Sequence, residues 1–217
     1  MRLNYSKTIT MLFSRSKTSD FPPRFFDEKG KTIEVVESLC VLGIVLCSDL
    51  KWVDNTKSMI ISAYSCFGLL TNLKKLGASR ETLLDVWVKN IRCVLELAAP
   101  VWSNSITVAE ERDIESVQAV ALKVIMGRDY ESYASAIVKC QVSTLKRRRA
   151  VLFTKYCRKL KADNAFQHWL SYSQSSLSME TRQPKPILKY VPSNTRQFEL
   201  SAIPKIVTEI NGIDKLK

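Results

Sequence analysis

Apolar positions along this chain follow two rhythms, and the change falls near residue 53. Before it the runs are short and strand-like. Thr8 to Phe13 is one apolar-rich run and Arg24 to Phe26 another. Asp27-Glu28-Lys29-Gly30 has the composition of a hairpin turn, in which Gly30 supplies the positive φ. Ile33 to Val36 reads as the returning strand, and Leu39 to Leu46 as one buried strand interrupted by Gly43. These runs are enough for a small sheet but not for a whole domain.

Beyond residue 53 the apolar residues recur at spacings of three and four. Asn55 can cap a first helix carrying Ile60, Ala63, Phe67, Leu70 and Leu73, with Gly77 placed to end it. Ser79 caps a second, with Glu81 in its first turn and Leu83, Trp87, Ile91, Val94 and Leu95 inside, limited by Pro100. Thr107-Val108-Ala109-Glu110 is a capping box opening a third, with Ile114, Val117, Ala121 and Val124 inside and Gly127 at its stop. Ser132 to Cys140 predicts a short helix. Ser143 can then cap a longer one, on which Leu145, Leu152, Tyr156 and Leu160 line one side.

The pattern therefore predicts a mainly α chain with a small N-terminal β-sheet, an α+β arrangement in which a helical bundle follows a β-hairpin. We divide it into a β segment over 1–53, a helical bundle over 54–130, a basic helical segment over 131–170 and a Ser/Pro-rich, loosely ordered tail over 171–217. The tail is marked by the serines from Ser171 to Ser178 and by Pro184, Pro186, Pro192 and Pro204, and leaves room for a short last helix.

Composition agrees with a folded, helical chain: 46% of the 217 residues are hydrophobic, while six Gly and seven Pro are few for a turn-rich β protein. No apolar run approaches the ~20 residues of a membrane span, so no membrane partner is expected. Met1 to Ser19 is basic and polar without the apolar stretch of a signal peptide. The expected compartment is cytoplasmic or nuclear, without secretion. Cys40, Cys47, Cys66, Cys93, Cys140 and Cys157 are scattered, without a C-x-x-C pair, and read as reduced core residues.

Charge changes the picture. The chain carries a formal +12, a balance that attracts polyanions and releases counterions at phosphates. The charge is concentrated: between Glu131 and Asp163 there is no acidic residue, while Lys139, Lys146, Arg147, Arg148, Arg149, Lys155, Arg158, Lys159 and Lys161 accumulate. Consecutive residues from Lys146 to Arg149 wrap around the first turn of a helix, and we take Lys146, Arg147, Arg148, Arg149, Lys155, Arg158 and Lys159 as the candidate contacts to RNA or DNA phosphates. A solvated helix face and a nuclear-import signal are the competing readings. Tyr156, Phe166 and Trp169 are rings able to stack on bases, although helical spacing favours core positions for them.

Catalytic motifs do not emerge. His168 is the single histidine, and no G-x-S-x-G turn, phosphate loop or G-x-G-x-x-G turn occurs. Zinc and iron sites need paired ligands this sequence lacks, so no cofactor is expected and no small-molecule substrate. No Asp-Asp pair is present to hold the two metal ions of a nucleotide polymerase. Asp20, Asp27, Asp49, Asp54 and Asp85 are single and sit at turns or helix starts.

Several segments, in one order, resemble the region downstream of the catalytic aspartates in non-LTR, jockey-like retrotransposon reverse transcriptases. Leu3-Asn4 with Lys7-Thr8, Met11 and Phe13 is similar to that family's L-N-x-x-K-T-x-x-M-x-F stretch. Leu42-Gly43-Ile44 and Asp49-Leu50-Lys51-Trp52 resemble L-G-[IV] and D-L-x-W. Ile91-Arg92, Val94-Leu95-Glu96, Ala98 and Pro100-Val101-Trp102 resemble I-R-x-V-L-E-Y-A-x-P-V-W, with Leu97 standing where the family has an aromatic. Ile114-Glu115, Val117-Gln118, Ala121-Leu122-Lys123, Ile125 and Gly127 resemble I-E-x-V-Q-x-x-A-L-[KR]-x-I-x-G, and Leu145 with Arg148-Arg149 resembles L-x-x-R-R. The match runs from Leu3 to about Trp169.

The resemblance implies that the helices from Asn55 to Gly127 form a thumb-like bundle gripping a template-primer backbone. It implies that Lys7 lies at the palm's end near nucleotide phosphates, with Trp52, Trp87 and Trp102 as packing anchors. Magnesium is implied only for the parent polymerase, whose catalytic aspartate motif would lie before Met1, so no polymerase turnover is expected. Stretches like Leu3 to Gly127 are also labelled as the amino-terminal region of AlkB-type tRNA-modifying proteins, whose iron- and 2-oxoglutarate-dependent chemistry needs ligands absent here. An exapted helical protein-interaction domain is the third reading.

Overall fold

The computed structural model describes residues 4, 7–13, 24–26, 30–163, 188–189, 192 and 195–215, with backbone alone for the last two. A small N-terminal β region precedes a helical bundle. Strands β1 (Ile9–Thr10), β2 (Phe25–Phe26) and β3 (Thr32–Val35) form one sheet in the order β1-β3-β2, with β1 parallel and β2 antiparallel to β3. Gly30 has the expected positive φ of 77°, while 27–29 lie outside the described residues.

The single strand expected over Leu39 to Leu46 is instead a hairpin. β4 (Ser38–Val41) and β5 (Ile44–Cys47) pair antiparallel across Leu42-Gly43, with Val41 opposite Ile44. Both turn residues have positive φ, 51° at Leu42 and 83° at Gly43, as a primed two-residue turn requires. Gly43 adopts this at no steric cost, and Leu42 adopts it while 92% exposed.

The helices are α1 (Val53–Ser65), α2 (Phe67–Lys75), α3 (Arg80–Val86), α4 (Cys93–Glu96), α5 (Ala99–Trp102), α6 (Val108–Met126), α7 (Tyr133–Lys139), α8 (Leu145–Ala162), α9 (Arg196–Leu200) and α10 (Ala202–Lys215). α1 starts two residues before Asn55, which is not the cap: Asn55 is buried, and its Oδ1 accepts a 3.0 Å hydrogen bond from the Val45 amide, fastening the hairpin to the bundle. The helix expected to run on to Gly77 breaks at Cys66. Gly77, at φ 83°, does end α2.

Ser79 caps α3 as expected, but the next stretch is not a plain α-helix. Trp87–Arg92 is π-helical, joining α3 to α4. Leu83, Trp87, Ile91 and Leu95 are all fully buried at four-residue steps. In an α-helix each such step overshoots a full turn by about 40°, carrying Leu95 about 120° away from Leu83. The wider π turn takes back part of that drift and keeps all four on the core side. Ala98 then sits in left-handed conformation, and Pro100 lies in the first turn of α5, opening a helix where we expected it to close one.

The capping box of α6 is complete: Thr107 Oγ1 accepts from the Glu110 amide at 3.2 Å, and Glu110 Oε2 accepts from the Thr107 amide at 2.7 Å. One apolar core runs from Trp52 to Leu145, with Trp87 and Trp102 fully enclosed. It spans the expected bundle and reaches the first turn of α8. A second cluster joins Phe153, Cys157 and Leu160 of α8 to Leu188 and to Ile206, Val207 and Ile210 of α10. Within the expected loose tail, which left room for one short helix, there are two, α9 and the 14-residue α10, and α10 packs on α8; 171–187 lie outside the described residues.

Candidate nucleic-acid interface

α8 carries seven of the eight candidate phosphate contacts, and its orientation sorts them. Its cap is Thr144, not Ser143: Thr144 Oγ1 accepts from the Arg147 amide at 3.2 Å, and the Ser143 carbonyl accepts from Gln118 Nε2 at 3.0 Å. A carboxylate from α6 completes the helix start. Glu115 accepts from the Leu145 amide at 3.1 Å and the Lys146 amide at 3.2 Å, compensating the positive helix end. The Tyr133 hydroxyl, itself receiving Gln118 Nε2 at 2.9 Å, donates to the same carboxylate. Burial and that carboxylate raise the Tyr133 hydroxyl's pKa above its ordinary value.

Acid missing from the local sequence arrives from other elements. Lys146 Nζ meets Glu111 at 2.8 Å, and the Arg149 guanidinium lies 3.6 Å from the same carboxylate. Arg149 is 3% exposed, with its guanidinium 5.8 Å from the ring centre of Trp102. Its Nη1 has no hydrogen-bond partner among the described residues. Arg148 grips Glu96 with two nitrogens, the Nη2 bond measuring 2.9 Å, and Arg92 shares that carboxylate at 3.6 Å. Glu96 holds the Arg148 pKa up, while burial and the neighbouring Arg148 charge push Arg92 down.

These contacts correct the assignment of two residues. Arg149 is enclosed and Arg148 is committed to Glu96, so neither faces a phosphate in this arrangement. Both join α8 to α4, α5 and α6, and Lys146 is partly neutralised. The physical reason is that a helix turns about 100° per residue, so a run of four cations cannot all point outward. No signal in the local sequence names the partners, since Glu96, Glu111 and Glu115 are remote along the chain.

Arg147, Lys155, Arg158 and Lys159 differ. All four are exposed, and none makes an ion pair with a described residue. They lie opposite the buried face made by Leu145, Arg149, Phe153, Cys157 and Leu160. Val151, 47% exposed, falls between Arg147 and Lys155 at four-residue steps. Tyr156 is 38% exposed and belongs to neither core cluster: the inner face is centred about 45° round the helix from the predicted one, on Arg149 and Phe153, which leaves Tyr156 toward its edge. Phe166, His168 and Trp169 lie outside the described residues. Lys7 is exposed before β1, and no contact among the described residues ties it to α8.

Other chemistry is sparse. Among the described residues no three His, Cys, Asp or Glu side chains gather as a metal site requires. No helix there is long and apolar enough to cross a membrane. An open concavity is lined by Glu81, Thr82, Asp85, Val86, Lys89 and Asn90, and Lys89 pairs with Asp85 at 2.6 Å within it. All six cysteines are free; Cys140 and Cys157 are buried as expected, but Cys40 and Cys93 are exposed. Comparison with family models, with curated proteins and with solved structures returned no match in any of the three.

Proposed function

We propose that this chain is a nucleic-acid-binding relative of the post-catalytic, thumb-like part of non-LTR retrotransposon reverse transcriptases, holding RNA or DNA by the backbone and without polymerase turnover of its own. The observation that carries the binding half is the outward row of Arg147, Lys155, Arg158 and Lys159. Glutamates from the bundle neutralise the inner cations, while these four form an outward stripe with no ion pair among the described residues. Phosphates are the natural complement.

Support for the family half is the ordered set of sequence segments, together with how their polar residues meet. Glu96 of the I-R-x-V-L-E segment binds Arg148 of L-x-x-R-R, and Glu115 of I-E-x-V-Q caps the helix that L-x-x-R-R opens. An AlkB-type module and an exapted interaction domain have no comparable observation in their favour.

The test is a salt titration. Four phosphate contacts to duplex give a slope of log affinity against log salt of about −3.6, at about −0.9 each. Replacing Arg147, Lys155 and Arg158 together with Ala should flatten the slope to about −0.9, leaving the thermal midpoint within a few degrees. A slope already near zero in the wild type, or one unchanged in the variant, would sink the assignment.

A further inference from the structure

We propose that the outer edge of β4 pairs with the same edge of a second copy of this chain, joining two hairpins into one antiparallel sheet across a two-fold axis at Leu39. The two-stranded sheet leaves each strand one outer edge. Its register, and the 2.8 Å bond from the Ser48 amide to the Glu37 carbonyl, fix where the backbone groups point. Leu39 and Val41 bond across to β5, whereas Ser38 and Cys40 turn their amides and carbonyls outward. On β5 the outward positions are Val45 and Cys47, and both are engaged. The Val45 amide donates to Asn55 Oδ1 at 3.0 Å, and the Cys47 carbonyl accepts from the Leu50 amide at 2.9 Å. Ser38 and Cys40 are exposed, and their outward groups have no partner among the described residues.

Edge strands are ordinarily guarded by charge, proline or a bulge. β4 has none of these: Ser38 to Ser48 contains no charged residue and no proline in a chain that is 25% charged, and the pairing with β5 is unbroken. The open groups are also self-complementary. In antiparallel pairing centred on Leu39, Ser38 lies opposite Cys40 of the second copy and Cys40 opposite its Ser38, and each such pair exchanges two hydrogen bonds. Every outward amide and carbonyl of both residues is then satisfied. Between the two pairs Leu39 meets Leu39 of the second copy, on the face it shares with Ile44 and Leu46, which pack against the main core. Assembly closes at two copies, because β5 is covered by α1 and offers no second edge. One strand pair is smaller than the roughly 1,200 Å² of a stable interface, so the association is reversible.

Sedimentation equilibrium of nuclease-treated protein should show the mass rising from monomer toward dimer with concentration. Raising salt from about 0.1 to about 0.5 M should strengthen the rise, since screening weakens the repulsion between two chains of charge +12 and the edge itself is uncharged. Cys40→Pro removes an outward amide that the hairpin does not use, so it should weaken association about 30-fold, for two lost bonds, and hold the thermal midpoint. In a Cys40→Ser background, Leu39→Cys should give a disulfide-linked dimer, the facing Cβ atoms being about 5 Å apart, and Val41→Cys should not. A chain that stays monomeric at millimolar concentration overturns the proposal, including one that instead takes up an unrelated extended peptide at Ser38 and Cys40. A dimer that dissolves in salt, survives Cys40→Pro or is linked through Val41→Cys also overturns it, as does growth beyond two copies.

Discussion

Neighbouring arginines in one turn of α8 have opposite fates, and the residue scale shows why. Arg147 is exposed, Arg148 is half-buried against Glu96, and Arg149 is enclosed beside Trp102 and Glu111. Removing Arg149 empties a buried volume beside Trp102 and leaves Glu111 with Lys146 alone, which costs about 2 kcal/mol or more. Urea unfolding should therefore show a loss of that size for Arg149→Ala, whereas Arg147→Ala should stay within about 0.5 kcal/mol, as surface substitutions do. Equal effects from the two would mean that α8 is rotated from the orientation described. The acid-free stretch of sequence was legible as charge, but not as exposure, because the compensating glutamates belong to α4 and α6.

At the scale of elements, the β4–β5 hairpin is the most exposed to change at its turn. A Cβ at Gly43 would lie 2.9 Å from Cδ2 of Leu97 and would have to hold a φ of 83°. Leu97 is 44% exposed and its tip can give way, so the backbone conformation dominates. Gly43→Ala should cost about 1–2 kcal/mol, the penalty of a left-handed L-residue. The Leu97→Ala background should recover little of it. The converse holds at Leu42, which bears that conformation already: Leu42→Asn should stabilise the fold by up to about 1 kcal/mol, since Asn tolerates positive φ. A thermal midpoint lowered by Leu42→Asn would contradict the primed turn. The capping box was readable from Thr107 and Glu110 alone, because it is closed within four residues. The hairpin was missed because Leu42-Gly43 lacks the Asn-Gly composition that announces such a turn.

On the scale of the molecule, α8 is the strut between two clusters, its first half in the main core and its second half under α10. Burial pushes the Cys157 thiol up to about 12, with Glu209 adding to the shift. The folded state thus holds this proton more tightly than the unfolded chain does, whose thiol titrates near ~8.5. Docking of α10 should be at full strength below that value and weaken as pH rises through it toward 12, by up to about 1.4 kcal/mol per unit. Alkylation followed by mass mapping checks this: Cys40 and Cys93 should react first, and Cys157 should become reactive at high pH without Cys140. Ile210→Ala, which thins the contact above Cys157, should hasten that step selectively. Simultaneous labelling of Cys140 and Cys157 would show that the two clusters open together.

Local pattern by itself determined the mainly helical class, the small leading sheet, the starts at Ser79, Thr107 and Ser132 and the stops at Gly77 and Gly127, because caps and periodicity act within a turn of the chain. It also determined that positive charge collects between 139 and 161. Tertiary structure alone decided which of those charges face outward, since each is settled by a carboxylate brought from another element. It decided as well that Trp87–Arg92 widens to a π turn, because the demand that Leu83, Trp87, Ile91 and Leu95 share one core is made by the helices around them and not by their own spacing. The same packing left Tyr156 partly exposed at the edge of the inner face of α8.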